Sequence, residues 1–304
     1  MKTKRLFPFI TMAIVVAPFV STTGAQSIEL GGVDFSTQRS PGEKCYRFVT
    51  EYIEFALDGA RLSTEETILE CAVTVDARGK QRLTCLKFEI KGKDGKILGI
   101  PKLMGWVNTL DNQTDELFGV KHADFQGLTT EDGPPLPPET IYRVYNTFVD
   151  FYAFNNVLAQ PVRDSEKKSI AGLSSIGDEI EHHSAFSEPP TDLGETVGKG
   201  SYFKNGRVTL RWNGISMVNQ RRCAIVGFDS GDSSFMLLMQ PAPNQAMRVK
   251  GGSHYWGDLH LNLSDYWMEY ATFKEFVTTQ ITVGENSPTA TPLIMRLGTI
   301  TLKH

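Results

Sequence analysis

The chain is short of cysteine, and the little it has is scattered. Its four cysteines are Cys45, Cys71, Cys85 and Cys223, with no Cys-x-x-Cys among them, so a thioredoxin-type redox site is excluded. One of the four is too remote in sequence for a zinc site of four thiolates. Positive charge is not in excess either: 31 basic and 35 acidic residues give a formal net charge of −4. That leaves no electrostatic footprint for nucleic acid. Beyond residue 25 no apolar run approaches the roughly 20 residues that a helical membrane span needs. The 27 glycines and 15 prolines follow no Gly-X-Y period, which excludes a collagen helix.

The common catalytic signatures are missing too. Gly227–Gly231 reads GFDSG, with its serine one place late for a G-x-S-x-G elbow. There is no H-E-x-x-H. Gly194–Ser201 reads GETVGKGS, one residue short between its first glycines, and Gly200 follows Lys199 where a phosphate loop needs Ser or Thr. No G-x-G-x-x-G follows a strand, and alternating β and α units are absent, so no dinucleotide site is expected. Ser165–Lys168 fits S-x-x-K, but it lies in a charged stretch with no K-T-G partner and reads as solvated surface. No catalytic residue and no cofactor follow from the sequence.

What is present starts with an address. Lys2, Lys4 and Arg5 precede fifteen uncharged residues, Leu6–Val20, and then the small residues Ser21–Ala25. Thr23 and Ala25 stand at the −3 and −1 places of a cleavage site, so residues 1–25 read as a signal peptide. Pro8 and Pro18 argue against a stable spanning helix there. Cleavage leaves 304 − 25 = 279 residues with charge 28 − 35 = −7, because the leader holds three bases and no acids. The expected location is exported, periplasmic or extracellular, with no transmembrane span after cleavage.

Three zones follow. Residues 26–133 read as β-rich, with strands over Cys45–Leu57, Thr67–Val75, Arg82–Ile90 and Ile97–Val107. Within it, a three-residue loop at Ala77-Arg78-Gly79 pairs Asp76 with Lys80 and sets Cys71 opposite Cys85, a workable disulfide in an oxidising compartment. A two-residue loop would offset them. Cys45–Cys223 is the complementary bridge.

Residues 134–190 read as a helical cover. The prolines of Gly133–Glu139 suit a helix start. Ile141, Val144, Tyr145, Phe148, Phe151 and Tyr152 recur at three and four, which predicts an amphipathic helix over 140–158. A second, weaker helix is expected from Ser165 to about His183. Residues 191–304 read as wholly β, with hairpins at Asn205-Gly206 and Gly251-Gly252. The expected fold is mainly β (α+β): antiparallel meanders forming a curved sheet, half-barrel or barrel, with two mid-chain helices covering it. That order of parts resembles exported carriers of lipid or lipoprotein at the level of architecture.

Two patches are candidate ligand-binding sites. On a strand over Gly251–Leu263, His254, Trp256, Asp258 and His260 share one face, and Tyr255, Leu259 and Leu261 share the core face. The aromatic helix face, with Tyr145, Phe148 and Tyr152, either lines an apolar chamber or plugs the sheet as ordinary core. Trp106, Trp212 and Trp267 read as core. Metal binding is limited by geometry: at about 3.3 Å per residue, His254 and His260 cannot share one ion. His182 and His183 sit near Glu179, one turn away on the expected helix. No metal is therefore assigned. The leading expectation is a non-catalytic binding protein for an apolar small molecule or an envelope protein. The alternatives are an exported hydrolase, metal-assisted through His182/His183 or His254/Asp258/His260, and a structural envelope protein.

Overall fold

Aromatic and β-branched residues crowd three successive segments, and these form strands β1 (Gly42–Phe55), β2 (Arg61–Val75) and β3 (Gln81–Lys91), a plain antiparallel meander. The structure, a computed structural model, describes residues 33–110, 120, 122–131, 133–162, 168–186, 191–192, 200–242, 245–284 and 291–303. All of them belong to one unit, Gly32–His304. The leader, residues 165–167 of the S-x-x-K stretch and most of the glycine-rich stretch at 194–201 lie outside the described residues.

The β2–β3 turn follows the expected count. Asp76 N donates to Lys80 O at 3.0 Å, and Gly79 takes φ +78°, a conformation glycine adopts without strain. Cys71 therefore faces Cys85 in register. The expected disulfides are not formed, however: Cys45, Cys71, Cys85 and Cys223 are all free thiols. Burial pushes the Cys85 thiol up to about 12 and Cys223 up to about 11, so neither is a thiolate at neutral pH. The strand expected over Ile97–Val107 is broken. Pro101 opens a single 3₁₀ turn, Pro101–Leu103, between β4 (Ile97–Gly99) and β5 (Val107–Leu110), both of which pair with β3.

Pro138 stands at the start of α1 (Pro138–Tyr152), which runs on as a π-helical turn, Ala153–Leu158. Its three-and-four apolar spacing buries Val144, Phe148 and Phe151 completely. The second helix does not exist over the described residues. Ile170–Gly172 makes one 3₁₀ turn, and Glu179–Glu181 is strand β6, paired with β9 (Thr209–Val218). Ile170, Leu173 and Ile180 do face the core, but as an irregular segment anchored by Asp178, which accepts from the Ser174 and Ser175 amides at 2.8 Å.

The last zone is β throughout. β7 (Thr191–Asp192), β8 (Tyr202–Lys204), β10 (Arg221–Asp229), β11 (Ser233–Ala242), β12 (Gln245–Asn262), β13 (Met268–Val283) and β14 (Leu293–Lys303) complete a sheet of fourteen strands among the described residues. Both expected hairpins are corrected. Gly251-Gly252 lies inside the 18-residue strand β12. Asn205-Gly206 separates β8 and β9, which pair with other strands. The true tight hairpin joins β9 to β10 through Asn219 and Gln220 at φ +46° and +64°, with Val218 opposite Arg221. Two central residues at positive φ give the turn a twist that matches the strands.

The order is β4-β3-β2-β1-β14-β13-β12-β10-β9-β6. β10 and β11 lie end to end along β12, joined at Ser230–Asp232. β4 and β6 stand at opposite ends of the order, so the sheet is not closed and the barrel expectation is set aside. One face carries the core and α1. Phe148 stacks on Phe88 of β3 at 5.6 Å, Phe151 meets Tyr46 of β1 at 5.6 Å, and Phe154 touches Phe273 of β13 at 4.9 Å and Phe228 of β10 at 5.1 Å.

Candidate functional site

Strand alternation decides which candidate residues share a face. On β12 the odd positions point to the core, with Leu259 and Leu261 buried. His254, Trp256, Asp258 and His260 point away from α1, each half-buried. They do not converge. His254 Nε2 lies 3.0 Å from Asp229 at the end of β10, and Nδ1 3.5 Å from Asp232 on the β10–β11 turn. Its ring meets Trp256 edge-on at 5.5 Å, and Trp256 stacks on the exposed Phe276 at 6.0 Å. Asp258 accepts from the Asn213 amide at 3.3 Å. His260 shares a 3.1 Å hydrogen bond with Ser216 and packs on Tyr270, and burial lowers its pKa.

His182 sits on the opposite side, against the core, and is 1% exposed. Its Nδ1 bonds Ser184 Oγ at 2.7 Å and its ring lies tilted against that of His183, with centroids 4.2 Å apart. Burial, with His183 beside it, drives the imidazole down to about 3, so it is neutral. The two histidine groups thus occupy different faces. Among the described residues no three His, Cys, Asp or Glu side chains gather as a metal site. Tyr145, Phe148 and Tyr152 are buried, and Phe148 packs on Phe88, Trp106 and Phe125.

Two features of the core face escaped sequence reasoning. The first is a charged row. Tyr52, Arg296, Glu275 and Tyr255 stand side by side on β1, β14, β13 and β12. Arg296 is 7% exposed and bonds Glu275 Oε2 at 2.5 Å, bonds Asp150 of α1, and lies 5.1 Å from the Tyr52 ring and 5.3 Å from Phe273. Ser253 Oγ donates to Glu275 at 2.6 Å. Burial would lower the Arg296 pKa, but Asp150 and Glu275 outweigh it and hold the guanidinium firmly charged. Burial pushes Asp150 up to about 6, against the pull of Arg296.

The second is an apolar patch beyond that row. Leu237 and Val249 are buried, with Phe203, Phe235, Met239, Met247 and Ile281 half-buried around them. The pairings Phe203/Phe235, Leu237/Val249 and Val249/Ile281 place the patch on the same face as Tyr255 and α1. Phe235 lies across Gly251, where a Cβ would come within 2.4 Å of the ring.

No family model matches the chain, and no curated protein matches it. Two solved outer-membrane proteins are weakly similar. The loop L8 deletion mutant of OmpT, an outer membrane protein of Vibrio cholerae, is 6% identical at TM-score 0.23, covering 87% of this chain and 100% of that one. An anion-selective porin from Comamonas acidovorans is 10% identical at TM-score 0.19, over 87% and 100%. Likeness at that level carries no argument about fold or function.

The charged row has no linear signature, because its members are spread from residue 52 to residue 296. Only the register brings them together. The apolar patch went unread as well, because the hairpin expected at Gly251-Gly252 cuts the strand β12 that carries Met247 and Val249.

Proposed function

We propose that this is an exported, non-catalytic binding protein whose sheet curves around α1 and takes an apolar ligand on the same concave face, at the patch beyond the charged row. The carrying observation is that patch: five half-buried apolar side chains continuing the core face where α1 no longer packs. Two of them are methionines, which adapt to irregular apolar guests.

Curvature is supported by how far α1 reaches. Phe88 on β3 and Phe228 on β10 are six strand steps apart, about 29 Å in a flat sheet. Phe148 and Phe154, which touch them, are about 9 Å apart along the helix. Side chains standing upright from a flat sheet do not readily close that gap, which supports a sheet that wraps around the helix. A half-barrel with one helical plug is the architecture this implies. Export rests on the leader sequence. Amino-terminal sequencing of the protein from an expressing culture's envelope fraction is expected to read from Gln26.

Displacement of an environment-sensitive fatty-acid probe tests the ligand. Saturable binding is expected. Met247→Asp should weaken it tenfold or more, in line with about 1.5–3 kcal/mol for burying one such side chain. Trp256→Ala, on the other face, should leave it unchanged. A wild-type protein that binds no probe, or a Trp256 variant that loses it, refutes the reading.

A further inference from the structure

Two neighbouring hairpin tips at one end of the sheet present aliphatic side chains to the outside. Solvated tips are ordinarily small and polar. The β1–β2 hairpin closes with Ala56 N donating to Ala60 O at 2.8 Å, and its Leu57 is 80% exposed. Glu54 faces Ser63 and Phe55 faces Arg61, so Leu62 is the extra residue of a β-bulge, turned out and 60% exposed. The β3–β4 hairpin closes with Gly92 N donating to Lys96 O at 2.9 Å, and its Ile97 is 54% exposed. Lys93 Nζ lies 3.7 Å from Glu54 Oε2, which ties the second tip to the first.

The charges around these side chains complement phosphate. Arg61, Lys93 and Lys96 are exposed at the tips, while Lys91, at the base, stands opposite Glu66. The three carboxylates of the tips are occupied within their own hairpins. Asp58 accepts from Ala60 N at 2.9 Å, Asp94 from Lys96 N at 2.9 Å, and Glu54 from Ser63 Oγ at 3.1 Å. The charges left to face outward are cationic, in a chain whose net charge is −4.

This is also the end of the sheet where the apolar patch lies. Phe55 faces Leu293 and Leu293 faces Thr278. The pairs beyond, from Gly251/Thr279 to Met247/Val283, carry the patch. At the opposite end the β9–β10 turn is polar, Asn219-Gln220, with Met217 62% exposed beside it.

We propose that the β1–β2 and β3–β4 tips dock this end of the sheet on a phospholipid surface. Leu57, Leu62 and Ile97 enter the boundary between headgroups and acyl chains. The stems of Arg61, Lys93 and Lys96 lie along them, with the charged heads at the phosphates. Docked this way, the apolar patch opens beside the membrane, and its ligand is an acyl chain taken from there. That last step rests on the binding function proposed above; the docking does not.

Flotation with vesicles of phosphatidylethanolamine and a minority of phosphatidylglycerol tests it. The wild type is expected to float with the vesicles. Leu57→Asp and Leu62→Asp should each weaken partition about tenfold, less than the full worth of burying a leucine because the tips enter only the boundary. Met217→Asp, at the other end, should float as the wild type does. Both tip positions are exposed, so their variants should keep the wild-type melting temperature and, without vesicles, the wild-type affinity for the fatty-acid probe. A wild type that stays with the soluble fraction, or tip variants that float equally well, overturn the docking whether or not the probe binds. A dimer that Leu57→Asp dissociates, with no vesicle binding, assigns the tips to a second copy of the chain and also overturns it. A wild type that floats but binds no probe keeps the docking and overturns the acyl ligand.

Discussion

Asp150 and His182 are two buried titratable groups with opposite pH signatures. Asp150 binds its proton more tightly folded, at about 6, than unfolded, at its ordinary 3.8. Its contribution is therefore largest in acid and is lost as pH rises from about 4 to 6. His182 titrates at about 3 folded against 6.5 unfolded, so its contribution is complete above 6.5 and is lost as pH falls toward 3. Asp150→Asn stays neutral at every pH, and Glu275 remains to hold Arg296. Urea melts should show its stability relative to wild type improving from pH 4 to pH 7. A difference that is flat with pH would show that Asp150 does not titrate in this range. His182→Gln loses packing and should be less stable at pH 7, yet its stability should fall less steeply than wild type between pH 6.5 and 4. Equal slopes would mean the imidazole is not held neutral by burial.

At the scale of elements, the sheet makes room for its aromatic rings by omitting side chains beside them. Gly298, Phe273 and Gly257 stand in one row across β14, β13 and β12. A Cβ on Gly298 would lie 1.7 Å from the Phe273 ring. Gly→Ala in a strand ordinarily stabilises through the unfolded chain. Here Gly298→Ala should instead lower stability by about 1–3 kcal/mol, the range for overpacking, as read from chemical denaturation. A stabilised variant would mean the ring moves freely. The same glycines explain what was legible in the sequence. α1 was readable because six apolar residues keep the helical period; Gly79 marked the β2–β3 turn but left two registers open, and the Asp76–Lys80 hydrogen bond decides between them. Gly251-Gly252 and Asn205-Gly206 resemble turns in composition, yet Gly251 makes room for the Phe235 ring within β12. The β9–β10 turn has Asn219 and Gln220 at positive φ with no glycine to announce it. The second helix was misread because Ile170, Leu173, Ile176 and Ile180 imitate a period, while Asp178 ties that segment into turns. Of the candidate site, alternation placed His254, Trp256, Asp258 and His260 on one face correctly. Long-range pairing put Asp229 and Phe276 beside them, and no local pattern carries that information.

For the molecule as a whole, the pairing that matters most joins the two ends of the described chain. β1 pairs with β14 over eleven residue pairs, from Cys45/Lys303 to Phe55/Leu293. That seam joins the β1–β5 meander to the β9–β13 strands, and α1 packs across it, with Phe151 on Tyr46 and Asp150 on Arg296. Neither half alone has both the sheet and its cover, and pairing residues this distant carries a loop-closure cost that the contacts of the seam must outweigh. Removing β14 should therefore abolish the cooperative thermal transition seen by circular dichroism, rather than lower its midpoint. Removing β6 residues from pairing is the contrast. Glu181→Pro, at an edge three residues long, should keep one cooperative transition at a modestly lower temperature. If the chain without β14 still melts in one sharp step, the seam is not what unites the fold, and the two meanders are independently stable sheets.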